Sequence, residues 1–131
     1  MSKINLKIFI TLFLLLSVSP IISIAQNDII KLIKFAKGKS SATVRGAVLR
    51  DEIETYIIKV NKGQKMTVKI TAIEKNGSFS IEKPSGDYLQ DAGEMDDQTV
   101  WSGTVPESGV YKIQVAPTRG NATYRLTVSV K

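Results

Sequence analysis

From residue 54 onward, apolar side chains recur at every second position. Tyr56, Ile58 and Val60 share one side of an extended segment. Met66, Val68, Ile70 and Ala72 do the same, as do Tyr111, Ile113 and Val115, and then Tyr124, Leu126, Val128 and Val130. The positions between them carry Lys59, Lys69, Lys112, Gln114, Arg125, Thr127 and Ser129. A period of two with one polar side predicts strands that turn one face to a core and the other to water.

Turn signals punctuate these runs. "KGKSS" (37–41) predicts the end of a first strand holding Ile33 and Phe35, and "RDE" (50–52) a polar turn. "NKGQ" (61–64) predicts a hairpin loop with Gly63 in the left-handed region, and Asn76-Gly77 a two-residue hairpin. "KPSGD" (83–87) is a Pro-Gly turn and "DAGEMDD" (91–97) a longer acidic loop. In "VPESG" (105–109), Pro106 suits the second position of a type I turn, and Gly109 can take a positive φ after it. Short strands with closely spaced turns predict an all-β fold: an antiparallel, jelly-roll-like β-sandwich of eight or nine strands, with no helix beyond the N-terminus. Trp101 is expected near the edge of the core. Its phase is open, because Val100 and Trp101 are consecutive and cannot share a face.

The N-terminus follows another pattern. Lys3 and Lys7 precede an apolar run from Ile8 to Leu16, Pro20 follows, and Ser23-Ile24-Ala25 places small residues at the −3 and −1 positions. Residues 1–25 read as a signal peptide cleaved after Ala25, with a single domain over 26–131 and a periplasmic destination. The run is short of the ~20 apolar residues of a retained membrane anchor. No cysteine follows the run to carry a lipid. Without any cysteine the domain must rest on packing alone.

Charge and residue types then narrow the function. Cleavage would take Lys3 and Lys7 from the formal charge of +6. Cations dominate residues 28–75, whereas residues 82–107 hold one lysine against seven Asp or Glu. That split is unlike the continuous basic face with stacking aromatics of a nucleic-acid binder. There is no histidine and no cysteine, which removes thiol chemistry, histidine general bases and the usual zinc sites. Asp51-Glu52 and Asp96-Asp97 are adjacent pairs on polar turns, not carboxylates facing each other across a cleft. Asp87, Asp91, Glu94, Asp96 and Asp97 offer oxygens for calcium, but not at EF-hand spacing; a solvated loop that keeps an edge soluble is the plainer reading. A non-enzymatic binding module remains, with no cofactor and no metal expected, and no membrane contact once the signal is gone.

Two loops could recognise a partner. One is the acidic stretch. The other, "APTRGNA" (116–122), holds Arg119 between two strands that have no need of it.

Four segments in order, "FAKGKSSATVRG" (35–46), "ETYIIKVNKGQK" (54–65), "VPESGVYKIQV" (105–115) and "TRGNATYRLTVSV" (118–130), resemble the bacterial periplasmic inhibitors of goose-type (g-type) lysozyme. The likeness covers nearly all of the chain after the signal. The strand patterns "GVYKIQV" and "YRLTVSV" are also similar to the pre-peptidase C-terminal β-sandwich modules of secreted peptidases. The first resemblance implies an inhibitor that inserts loops into the lysozyme cleft and so protects peptidoglycan. It implies that Arg119, with Thr118 and Asn121 beside it, reaches the cleft, and that Ser108, Gly109 and Tyr111 match a Ser-Gly-x-Tyr motif of several lysozyme inhibitors. Tyr111 lies in phase with Ile113 and Val115, which instead places its ring in the core. The turn "LRDEIET" (49–55) departs from the family by lacking an aromatic; Ile53 is its nearest large residue. An inhibitor of invertebrate-type lysozyme is a neighbouring reading, and a glycan- or calcium-binding envelope module an alternative from another class.

Overall fold

The computed structural model describes Pro20 and residues 29–131; the expected signal segment and its cleavage point lie outside the described residues, Pro20 apart. The alternating runs form strands where expected. Their order is β1 (Ile30–Leu32), β2 (Ser41–Val48), β3 (Glu54–Val60), β4 (Lys65–Ala72), β5 (Gly77–Glu82), β6 (Val100–Thr104), β7 (Gly109–Pro117) and β8 (Ala122–Val130). There is no helix among the described residues.

Two four-stranded sheets pack face to face, one in the order β1-β3-β7-β5 and the other β2-β8-β4-β6. The chain alternates between them at every connection. The fold is therefore an all-β sandwich with the interleaved strand order of a jelly roll. This corrects two expectations. Hairpins are expected at residues 61–64 and at Asn76-Gly77, but β3 and β4 lie in different sheets, and so do β4 and β5. These turns are arches across the core. A tight turn reverses the chain equally well in either case, so the local signal cannot tell them apart. At 75–77 the left-handed residue is Lys75, with φ 53°, and neither Asn76 nor Gly77.

The pairing is antiparallel except that β1 joins β3 in parallel. The first strand is also shorter than expected. Ile33 is buried and Phe35 packs against the core, but both lie beyond β1.

The inner faces supply one core. Tyr56, Ile58 and Val60 of β3 and Ile113 and Val115 of β7 meet Met66, Val68 and Ile70 of β4 and Leu126 and Val128 of β8. Each such side chain contributes about 1.5–3 kcal/mol of transfer free energy when fully buried. Trp101 turns inward and Val100 outward. The indole lies over Gly103, where an added Cβ would sit 2.9 Å from the ring, and its Nε1–H donates to the Gln90 carbonyl at 3.0 Å.

That bond ties down the acidic loop, which runs along the free edge of β5. The Leu89 amide donates to Ile81 O and the Ile81 amide to Ala92 O, while Leu89 and Ala92 enter the core. The loop thus covers an otherwise open sheet edge. Its carboxylates serve the loop itself: Glu94 accepts from the Tyr88 hydroxyl at 2.6 Å, and Asp96 from the Gly93 amide at 2.7 Å. The bond to Glu94 raises the Tyr88 pKa to about 12. No three carboxylates converge in a metal-holding group among the described residues.

Candidate functional site

The interleaved topology sends the loops to two opposite ends. Residues 49–53, 73–76 and 118–121 connect strands at one end; residues 61–64, 83–87 and 105–108 lie at the other. Strand β7 joins the two. Its nine residues, at about 3.3 Å each, span roughly 30 Å. The residues singled out in the sequence are therefore not one cluster. Thr118, Arg119 and Asn121 stand at one end, and Ser108 and Gly109 at the other.

At the Arg119 end three loops are bonded into one tip. Asn76 is its hub and is 1% exposed. Its Nδ2 donates to Arg119 O at 3.0 Å and to Asn121 O at 2.8 Å, and its main-chain carbonyl accepts from the Thr118 amide at 2.8 Å. Asn121 Oδ1 accepts from the Arg50 amide at 2.9 Å, which draws in the 49–53 turn. The Arg119 side chain is exposed, and its Nη2 donates to Glu74 O at 2.8 Å. A guanidinium has five N–H donors, so one bond aims the group while others face outward. Each loop contains a left-handed residue: Asp51 (φ 64°), Lys75 (φ 53°) and Gly120 (φ 56°). Two of these are not glycine, a costly conformation that persists when surrounding bonds fix the backbone. Leu49, Ile53 and Ile73 are exposed at the same end, Ile73 at 83%.

Beneath this tip, Glu54 accepts from the Tyr124 hydroxyl, from the Tyr56 hydroxyl at 3.3 Å and from Lys31 Nζ at 3.5 Å. The two tyrosine hydroxyls are 2.6 Å apart. Burial above all, then the bonds to Glu54 and Tyr56, pushes the Tyr124 pKa far up. Burial likewise raises that of Tyr56. Gly46 makes room for this cluster, since a Cβ there would meet the Tyr124 hydroxyl at 2.5 Å.

At the other end the motif residues have framework tasks. Ser108 Oγ accepts from the Lys62 amide at 2.7 Å and links two turns. Gly109 has φ 144°, and a Cβ would lie 2.8 Å from Pro84 Cγ. Tyr111 is 0% exposed, and its hydroxyl donates to Glu107 O at 2.6 Å, in the manner of a tyrosine corner. Its ring lies in the core, as its phase with Ile113 and Val115 predicts, and its hydroxyl is bonded inside the fold. Burial raises its pKa.

The sequence reading missed Asn76 as a clamp, because Asn-Gly is so strong a turn signal. It also missed Leu49 and Ile73. The cue available was an apolar residue placed directly at a predicted turn.

No family model matches the sequence, and no curated protein sequence matches it. Solved structures do. The protein is similar to PliG of Aeromonas hydrophila, a periplasmic lysozyme inhibitor of g-type lysozyme, at 29% identity and TM-score 0.68, over 78% of this chain and 96% of that one. It is similar to a mutant of the Escherichia coli counterpart at 26% identity and TM-score 0.61, over 78% and 97% of the two chains. A pre-peptidase C-terminal domain of a Bacillus anthracis collagenase shares the fold, at 17% identity and TM-score 0.59, over 82% and 99%. Both resemblances read from the sequence are therefore present in three dimensions, and the chain has the lysozyme-inhibitor fold.

Proposed function

We propose that this protein is a non-enzymatic periplasmic inhibitor of goose-type lysozyme, released by cleavage after Ala25, and that the Arg119 end is its docking tip. The observation that carries the reading is the clamped Arg119 loop on a fold similar to the PliG inhibitors. A lysozyme cleft carries catalytic carboxylates. An exposed guanidinium can meet one through charge-assisted, paired hydrogen bonds. Leu49, Ile53 and Ile73 add apolar surface around it, and an aliphatic contact at Ile53 replaces the aromatic expected on that turn. The bonds from Asn76 hold the loop before binding, so less freedom is lost on docking. Ser108 and Gly109 support the fold from the far end.

The test is lysis of cell-wall suspensions by goose-, chicken- and invertebrate-type lysozymes with the purified protein added. Inhibition of the goose-type enzyme is expected to dominate. Inhibition confined to the invertebrate-type enzyme would move the partner while keeping the tip, and no inhibition of any would overturn the reading.

A further inference from the structure

The outer face of the β2-β8-β4-β6 sheet carries charge of one sign. Arg45 of β2 stands directly opposite Arg125 of β8, and Thr71 of β4 comes next in the row. Lys65 and Lys69 project from β4 on the same side. No outward position of these four strands is Asp or Glu; apart from these cations, Ala47 and Val100, they are Ser or Thr. The salt bridge among the described residues, Lys31 to Glu54, belongs to the other sheet. Neither arginine meets a carboxylate there.

The contrast with the other sheet is direct. Its outer face sets Glu82 opposite Lys112, an attractive pair. Like charges directly opposite are destabilising in a sheet. Four unneutralised cations on one face maintain a positive potential that an anion would relieve.

We infer that this face binds an anionic polysaccharide, with Arg45 and Arg125 holding its acidic groups. The shape fits. A groove of about 350 Å³ opens on the face beside the two arginines, lined by Arg45, Arg125, Thr71 and Thr123, with Ala72, Ile73 and Tyr124 as its apolar part. That is within the usual size of small-ligand clefts, ~300–1,000 Å³. The chemistry fits as well. Thr43 and Thr127 share a hydrogen bond of 3.0 Å, and Thr67 and Ser102 one of 2.9 Å, so hydroxyl rows run beside the arginines. Hydroxyls both donate and accept, as sugar hydroxyls require. Strands about 4.8 Å apart make the face roughly 15 Å across, and β8 gives it a length of roughly 30 Å, enough for several sugar units. A membrane surface would call for an apolar face able to enter the lipid boundary. Here the outward apolar side chains are scattered, and none is aromatic. The groove borders the inhibitory tip at Ile73, but Arg45 and Arg125 lie on the sheet face beyond it, and the inference does not depend on lysozyme binding.

The experiment is titration of the purified protein with polygalacturonate, with uncharged dextran and phosphatidylglycerol vesicles alongside. Binding to polygalacturonate, weakened by salt, with none to dextran, is expected. Arg45→Gln with Arg125→Gln should weaken it roughly tenfold or more, two charge-assisted contacts being lost. Lys59→Gln with Lys112→Gln, an equal loss of charge from the opposite face, should leave it within about twofold. The arginine double variant should also melt no lower than the parent, since it removes like-charge repulsion. Arg119→Ala should bind polygalacturonate normally. Equal weakening by the two double variants would reduce the effect to net charge and overturn the inference. So would binding to the vesicles alone, or to nothing.

Discussion

Both ends of this sandwich rest on buried tyrosine hydroxyls, and they use them differently. At the Ser108 end, Tyr111 reaches back four residues to the Glu107 carbonyl. The loop is closed by its own neighbour. At the Arg119 end, Tyr124 and Tyr56 converge on Glu54, and Asn76 grips a loop more than 40 residues away. The Tyr111 bond is a local fastening, and Ser108 adds a link to the 61–64 turn. The other end is assembled from three arches that meet only when both sheets have formed. The Arg119 end also exposes Leu49, Ile53 and Ile73 and an aimed guanidinium.

The comparison breaks most sharply at Arg119. Arg119→Ala should weaken inhibition of goose-type lysozyme by ~2–5 kcal/mol, as truncating one member of a buried interfacial charge pair does. Its melting temperature should barely move, because exposed substitutions usually stay within about 0.5 kcal/mol. Arg119→Lys should recover only part of the loss, since an ammonium lacks the paired fork. Full inhibition by Arg119→Ala would mean that the tip is not the docking surface.

A matched pair sharpens the contrast. Asn76→Ala removes two donors from the arches and should cost ~1–3 kcal/mol of stability. Gly109→Ala forces a Cβ onto Pro84 at a positive φ and should also cost ~1–3 kcal/mol. Assayed well below their melting temperatures, the first should inhibit poorly and the second normally. Equal inhibition by both would remove any special role for the Asn76 clamp.

Smaller effects concern the tyrosines. Tyr111→Phe leaves the Glu107 carbonyl without its partner and should lower stability by about 1 kcal/mol, with inhibition intact. Alkali should separate the two ends as well. The folded pKa values of Tyr56, Tyr111 and Tyr124 lie above the ordinary 10.0. The stabilisation from their protonated hydroxyls is therefore complete below pH 10. It is lost above that value, as the unfolded chain ionises first and the folded one resists. Melting temperature against pH should fall beyond 10, and Tyr124→Phe should remove more of that fall than Tyr111→Phe.

Ser108→Ala should do least. It loses one hydrogen bond to Lys62, worth ~0.5–1.5 kcal/mol, and no inhibition. Lost inhibition in this variant would put the far end in contact with the lysozyme after all.

The sequence by itself determined which side of each strand is apolar. It also placed the turns and marked Gly109 for a positive φ and Tyr111 for the core. These follow from period-two alternation and from turn chemistry, which act over a few residues. The absence of histidine and cysteine ruled out whole classes of chemistry just as directly. Only the tertiary structure decided which sheet each strand joins. Alternation makes a face apolar without naming the neighbour that supplies the hydrogen bonds, and a turn that crosses the core has the same residues as one that stays in a sheet. That single ambiguity hid the rest. Once β7 is known to run the length of the sandwich, Ser108 and Arg119 lie at opposite ends, though only eleven positions separate them. Asn76 becomes a clamp only because β4 to β5 and β7 to β8 both cross at the same end, which brings its amide beneath a loop that no local pattern could place there.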